Sequence, residues 1–176
     1  MVRDYGLSFI SSEDLFLHVK KAIESEPSDK ITSSQLENIN HFHQSLLKSI
    51  SNSKFNLSRG LDVINKSKKI YIEVKNTCPD MNTTSARHTY MQMQHEILSD
   101  RSATCYLVEI FSKPNQDTLW KIIIDGQELS HKNIRRISID KFYLQITGIK
   151  SAFKELCHVL PRVYEDALTL AESPNS

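Results

Sequence analysis

No stretch of this chain approaches the ~20 consecutive apolar residues of a membrane span. The opening, MVRDYGLSFISSED, has no long apolar run and quickly turns acidic, so no secretion signal is read there and a cytoplasmic protein is expected. Cysteine is scarce too. Cys78, Cys105 and Cys157 are odd in number, widely spaced and without a CxxC pair. That pattern argues against a disulfide framework or a zinc knuckle and fits reduced thiols. A surplus of either charge is also missing: 22 basic against 21 acidic side chains leave a net +1. Overall charge therefore announces no nucleic-acid partner, and any basic surface has to be local. Internal repeats are absent, and only the final ESPNS has the composition of a loose tail.

What remains is an ordinary globular composition, 39% hydrophobic and 24% charged over 176 residues, enough for one domain with a single core. SSEDLFLHVKKAIES reads as a first helix, with Ser11 and Ser12 as caps, broken at Pro27. A second helix starts with Thr32 and Gln35 in capping-box spacing and runs an apolar stripe through Leu36, Ile39, Leu46, Leu47 and Ile50. LDVIN and KKIYIEV, joined by a short polar turn, predict a β-hairpin. After the loop TCPDMNTT a third helix is predicted over about Ser85 to Leu98, with Ala86, Tyr90, Met93 and Ile97 on one stripe. ATCYLVEIF suits a central strand. LWKIII suits another, ending at an Asp125-Gly126 turn, and RRISI is a short strand or an extended link. Asp140 is placed to cap KFYLQIT, Ser151 to cap AFKELCHVLPRVYEDALTLA, and Pro161 should kink or split that last helix. The expected fold is a single α/β domain over 1–176, a mixed sheet flanked by helices, with a helical part at about 11–52, a core at about 58–125 and a C-terminal part at about 126–172.

One nine-residue stretch, KKIYIEVKN, sets the functional question. Side chains alternate along a strand, so Ile70, Ile72 and Val74 share one face while Tyr71, Glu73 and Lys75 share the other. The bland account is a half-exposed strand with a weak surface ion pair. The hairpin, however, brings Asp62 beside Glu73, so two carboxylates and a lysine meet at one edge of the sheet. Hydrolysis of a phosphodiester uses such a set. Mg²⁺ prefers oxygen ligands and is commonly held by one or two carboxylates with water and substrate phosphate. Asp62 and Glu73 supply the carboxylates, the carbonyl of Val74 is a further possible ligand, and Lys75 is placed to orient the attacking water.

The motif Asp62…Glu73-Val74-Lys75 resembles the PD-(D/E)XK nuclease signature. The longer words KKIYIEVKN, MNTTSARHTYMQMQ, ATCYLVEIF and IRRISIDKFYLQITG, with LSFISSEDLFLHVK and AFKELCHVLPRV, are similar to type II restriction endonucleases that cut the pseudopalindrome GGNCC. The resemblance covers most of the chain. It implies a restriction-endonuclease-like core, Mg²⁺ as cofactor and double-stranded DNA as substrate. It further implies a symmetric homodimer and a cognate methyltransferase in the same system. Members of that family are usually longer between the first and second helices, an interval compressed here into SEPSDKITSS. Two alternatives stay open: a weak or inactive relic that keeps the fold and some DNA binding, and a repair or junction nuclease on the same fold.

Further candidates sit around this centre. Gln44, near the end of the second helix, is a possible accessory residue that binds a metal-bound water or caps a buried face. Glu37 is expected to be solvated, and His41 and His43, two apart on a helix, point in different directions. HKNIRR with Lys141 is the densest cationic stretch, and Lys132, Arg135 and Arg136 are expected at DNA, reading guanine or holding phosphate. Asn82, Thr84 and Ser85 belong to a polar loop ahead of a helix, which can hold a phosphate through its amides or serve as a cap. Tyr90, Met93 and Trp120 are expected to pack in the core.

Overall fold

The computed structural model describes residues 32–50, 60–76 and 82–172. The expected first helix, at residues 11–25, and Cys78 lie outside them. Helix α1 spans Ser33–Ile50, strand β1 Val63–Asn65, β2 Ile70–Lys75, helix α2 Thr83–Ser99 and β3 Thr104–Glu109. Strands β4 (Asp117–Ile124) and β5 (Gln127–Ser138) follow, then helices α3 (Ile139–Thr147) and α4 (Ala152–Glu172). The five strands form one mixed sheet in the order β1-β2-β3-β5-β4. The two outer pairs are antiparallel, and β2, β3 and β5 run parallel through the middle.

Local chemistry accounts for most of these boundaries. The capping box opens α1: Thr32 N–H donates to Gln35 Oε1 at 3.0 Å, and Gln35 N–H donates back to Thr32 Oγ1 at 3.3 Å. The predicted hairpin forms with Val63 opposite Ile72, and Asn65 Oδ1 holds its turn by accepting from Lys68 N–H at 2.9 Å. Asp125 and Gly126 both take positive φ, 52° and 79°, as a two-residue hairpin turn requires.

Three boundaries differ from expectation. Helix α2 begins at Thr83 rather than Ser85, because the Asn82 side chain caps it, accepting from Ser85 N–H at 2.8 Å. RRISI is the end of a 12-residue strand whose earlier part also pairs with β4, so HKNIRR is strand throughout. Helix α3 starts after Ser138, and Asp140 instead accepts from Asn115 N–H at 2.9 Å, tying the helix to the preceding loop. Helix α4 continues through Pro161, so of the kink or split expected there the split does not occur.

The sheet divides the interior into two cores. On one face Ile39, Phe42 and Leu47 of α1, Phe142 and Tyr143 of α3, and Cys157 and Leu160 of α4 cover Val63, Ile72, Val74, Val108 and Ile137. On the other, Tyr90, Met93 and Ile97 of α2 cover Ile64, Tyr71, Cys105, Leu107 and Ile134. Trp120 packs edge-on against Tyr90, their ring centres 5.3 Å apart, so both are core as expected. Among the described residues no helix is long and apolar enough to cross a membrane.

Candidate active site

Alternation along β2 puts Glu73 and Lys75 on the α2 face, at the C-terminal ends of the parallel strands. That end of an open α/β sheet is where ligands bind. Glu73 is 6% exposed, although it is a carboxylate, and its Oε1 accepts from Lys75 Nζ at 2.8 Å. Its other oxygen, Oε2, is buried and accepts no hydrogen bond among the described residues. Asp62, just before β1, joins from the edge strand: its Oδ2 accepts from the Val74 N–H at 2.8 Å. The backbone of β2 thus holds Asp62 next to Glu73, as the hairpin reading expected.

Helix α1 adds Gln44, a buried residue whose side chain hydrogen-bonds the Asp62 carboxylate, and Lys48, one turn on, whose charge acts on the same group. The candidate accessory residue is therefore in contact with the acidic pair. His43, next in sequence, turns into the core with its Nδ1 3.3 Å from the Tyr143 hydroxyl, whereas exposed His41 lies 3.8 Å from Glu37. The two histidines diverge, as helical spacing requires.

The electrostatics follow from burial. Desolvation raises the Asp62 pKa, against the opposing pull of the Val74 amide, Lys75, Lys48 and Gln44. Desolvation also pushes Glu73 up, and the neighbouring Asp62 charge adds to it; Lys75 offsets only part, and the carboxyl stands at about 7. Burial pulls Lys75 down, but the carboxylates of Glu73 and Asp62 outweigh it and hold the ammonium above its ordinary value. Two acids that resist ionising together, beside a lysine that stays charged, form a site short of positive charge.

The remaining candidates are more dispersed. Asn82 is the cap of α2, Thr84 is exposed in its first turn and Ser85 is half-buried there. Lys132 is exposed on β5. Arg135 and Arg136, adjacent on β5, point to opposite faces. Arg135 aligns with Tyr106 on the face of α1, α3 and α4, and its Nε donates to Asp117 Oδ1 at 2.6 Å. Arg136 aligns with Leu107 on the Glu73 face, and its Nε donates to Glu109 Oε2 at 2.5 Å. Glu109 escaped the sequence reading. Its signal was there, a lone carboxylate inside the apolar run ATCYLVEIF, the same anomaly that marked Glu73.

Residues 15–169 match the family model described as Eco47II restriction endonuclease. The chain is also similar to the type II restriction enzyme Sau96I of Staphylococcus aureus, with 22% identity over 175 residues. That alignment covers 94% of this chain but 64% of the relative, so the chain spans under two thirds of the length of the protein it matches. No solved structure matches.

Proposed function

We propose that this chain, which belongs to the Eco47II restriction endonuclease family, is a Mg²⁺-dependent type II endonuclease. Its substrate is double-stranded DNA carrying a short GGNCC-like pseudopalindrome. The observation that carries this reading is the half-buried Asp62 held against buried Glu73 beside Lys75, with Glu73 Oε2 undonated among the described residues.

The donor set suits a hard cation. Asp62 and Glu73 offer carboxylate oxygens, the carbonyl of Val74 is available for a third contact, and no group of three or more His, Cys, Asp or Glu side chains is assembled among the described residues. Mg²⁺ commonly takes one or two protein carboxylates and keeps several waters, whereas zinc calls for more nitrogen or sulfur. Bound here, Mg²⁺ would supply positive charge to offset the negative charge that gathers on a phosphodiester during hydrolysis. Lys75 donates to the attacking water and steadies charge on the phosphoryl oxygens. Glu73, ionising near neutrality, lets Lys75 turn from it toward substrate once its own charge is matched. Gln44 keeps the Asp62 carboxylate oriented by hydrogen bond.

DNA contact is assigned to Asn82, Thr84 and Ser85 at the start of α2, and to Lys132, Arg135 and Arg136 on β5. Arg136 has the strongest support because it shares the face and strand end of the carboxylates. Cleavage of both strands of a near-palindrome calls for two such sites related by a two-fold axis, hence a homodimer on DNA. A methyltransferase of matching specificity is the expected companion.

Digestion of plasmid DNA with and without Mg²⁺ tests the reading. Discrete fragments that Glu73→Ala fails to produce support it. Absence of cleavage by the wild type favours the relic. Nicking confined to branched substrates favours the junction nuclease.

A further inference from the structure

We infer that Glu109 is a positioning residue, which fixes the Arg136 guanidinium so that it grips a DNA backbone phosphate flanking the one that is cut. This rests on the nuclease reading of Asp62, Glu73 and Lys75, and extends it to residues outside that motif.

Strand register lays the charges out as a small grid. Glu73, Leu107 and Arg136 align across β2, β3 and β5, and in the next row Lys75, Glu109 and Ser138 align. All six side chains stand on the α2 face at the strands' C-terminal ends. Within the grid two neighbouring pairs are ion pairs, Lys75–Glu73 along β2 at 2.8 Å and Arg136–Glu109 on the diagonal between β5 and β3 at 2.5 Å. Arg136 is two strands from Glu73, about 10 Å at the usual strand spacing, which places it past the cut phosphate rather than on it.

Glu109 is an expensive way to hold a strand in place. It is 1% exposed, and its Oε1 accepts no hydrogen bond among the described residues. Hydrophobic groups of the same volume serve stability as well as or better than a buried ion pair. The pair has a clear use if the arginine must be held. Glu109 binds the Nε edge of the fork, which stops the guanidinium from rotating, while the Arg136 side chain remains 36% exposed. A guanidinium is a planar donor group suited to phosphate. An unrestrained arginine would have to be ordered on binding, and Glu109 does so beforehand.

The test is binding of the full chain to a GGNCC duplex in Ca²⁺, across a range of salt, using duplexes in which one phosphate at a time is replaced by an uncharged methylphosphonate. The wild type should lose about tenfold at one phosphate flanking the cut. Arg136→Ala should bind unmodified duplex about tenfold more weakly, show no further loss at that phosphate, and reduce the salt slope by about one. Glu109→Gln should copy that pattern, and the double variant should be no worse than Arg136→Ala alone. Variants that keep the wild-type methylphosphonate pattern, or losses that add in the double variant, overturn the inference. Should Glu109→Gln unfold, Arg136→Lys decides: it keeps the charge but lacks the fork, and an unchanged response at the flanking phosphate overturns the positioning role. Failure of the nuclease reading looks different, since Glu73→Ala would then cut plasmid as well as the wild type does. A wild type that binds no duplex overturns both.

Discussion

Replacing Glu73 by Gln separates a buried catalytic acid from an ordinary ion pair without requiring DNA. In the folded protein Glu73 ionises at about 7, against 4.5 in an unperturbed glutamate. A rise of that size corresponds to roughly 3 kcal/mol. Its sign is set by which state holds the proton. Between about pH 4.5 and 7 the folded chain keeps the Glu73 proton while the unfolded chain has lost it. Stability from this group is therefore complete below pH 4.5, declines as pH rises, and levels off above 7. Glu73→Gln cannot ionise and removes the decline. The attraction of Lys75, 2.8 Å away, is already contained in that pKa and offsets nothing further. Near pH 5 the variant should match the wild type. At pH 8 it should be more stable by about 3 kcal/mol.

Urea unfolding in EDTA provides the measurement, because Trp120, the one tryptophan, is buried against Tyr90 and its fluorescence should report loss of the α2-side core. Repeating it at pH 8 with Ca²⁺ or Mg²⁺ adds a second readout. A cation at tenfold its dissociation constant stabilises by roughly 1.4 kcal/mol. Only the wild type should gain, and the gain should shrink as protons return to Glu73 below pH 6. Parallel stability curves for the two proteins from pH 5 to 8 would refute the electrostatic reasoning. Equal stabilisation of both by the cation would refute the metal assignment.

Three shorter predictions follow. Gln44→Ala should cost about 1 kcal/mol in stability, and should move the acidic limb of the cleavage profile to higher pH. The lost hydrogen bond favoured ionised Asp62. Tyr90→Phe should leave stability within about 1 kcal/mol of wild type or raise it, since the buried Tyr90 hydroxyl has no hydrogen-bond partner among the described residues. A larger loss on denaturation would reveal a partner. Light scattering in Ca²⁺ should find two chains on one GGNCC duplex, and a single chain per duplex would count against the two-fold arrangement.

Features governed by near neighbours in the chain were the legible ones. The Thr32–Gln35 box, the hairpin from Val63 to Lys75 and the Asp125-Gly126 turn each depend on contacts a few residues apart, and each formed as read. Two of the misread boundaries depend on partners outside the local stretch, while the third, the start of α2, rests on the local Asn82 cap. Asp140 looked like a cap because nothing local shows that Asn115 will claim it. RRISI looked short because β4, which extends the strand back to Gln127, reaches it across a turn.

The same distinction explains why half of the candidate site was visible. Asp62 and Glu73 lie on two arms of one hairpin, so alternation and turn length place them together from sequence alone. Arg135 and Arg136 are neighbours in sequence, and a cationic stretch suggests that they act jointly. Alternation denies this as soon as the stretch is known to be a strand, and sends one to each face. Which of the two shares the face of Glu73 then depends on the register of β5 against β3, where Leu107 aligns with Arg136 and Tyr106 with Arg135. A slip of one residue would exchange their faces. That register is held by Ile134 and Ile137 packing into opposite cores, a tertiary constraint that no local pattern encodes. The sequence marks Glu109 as an anomaly inside an apolar run, and this register adds its partner on the same face, Arg136.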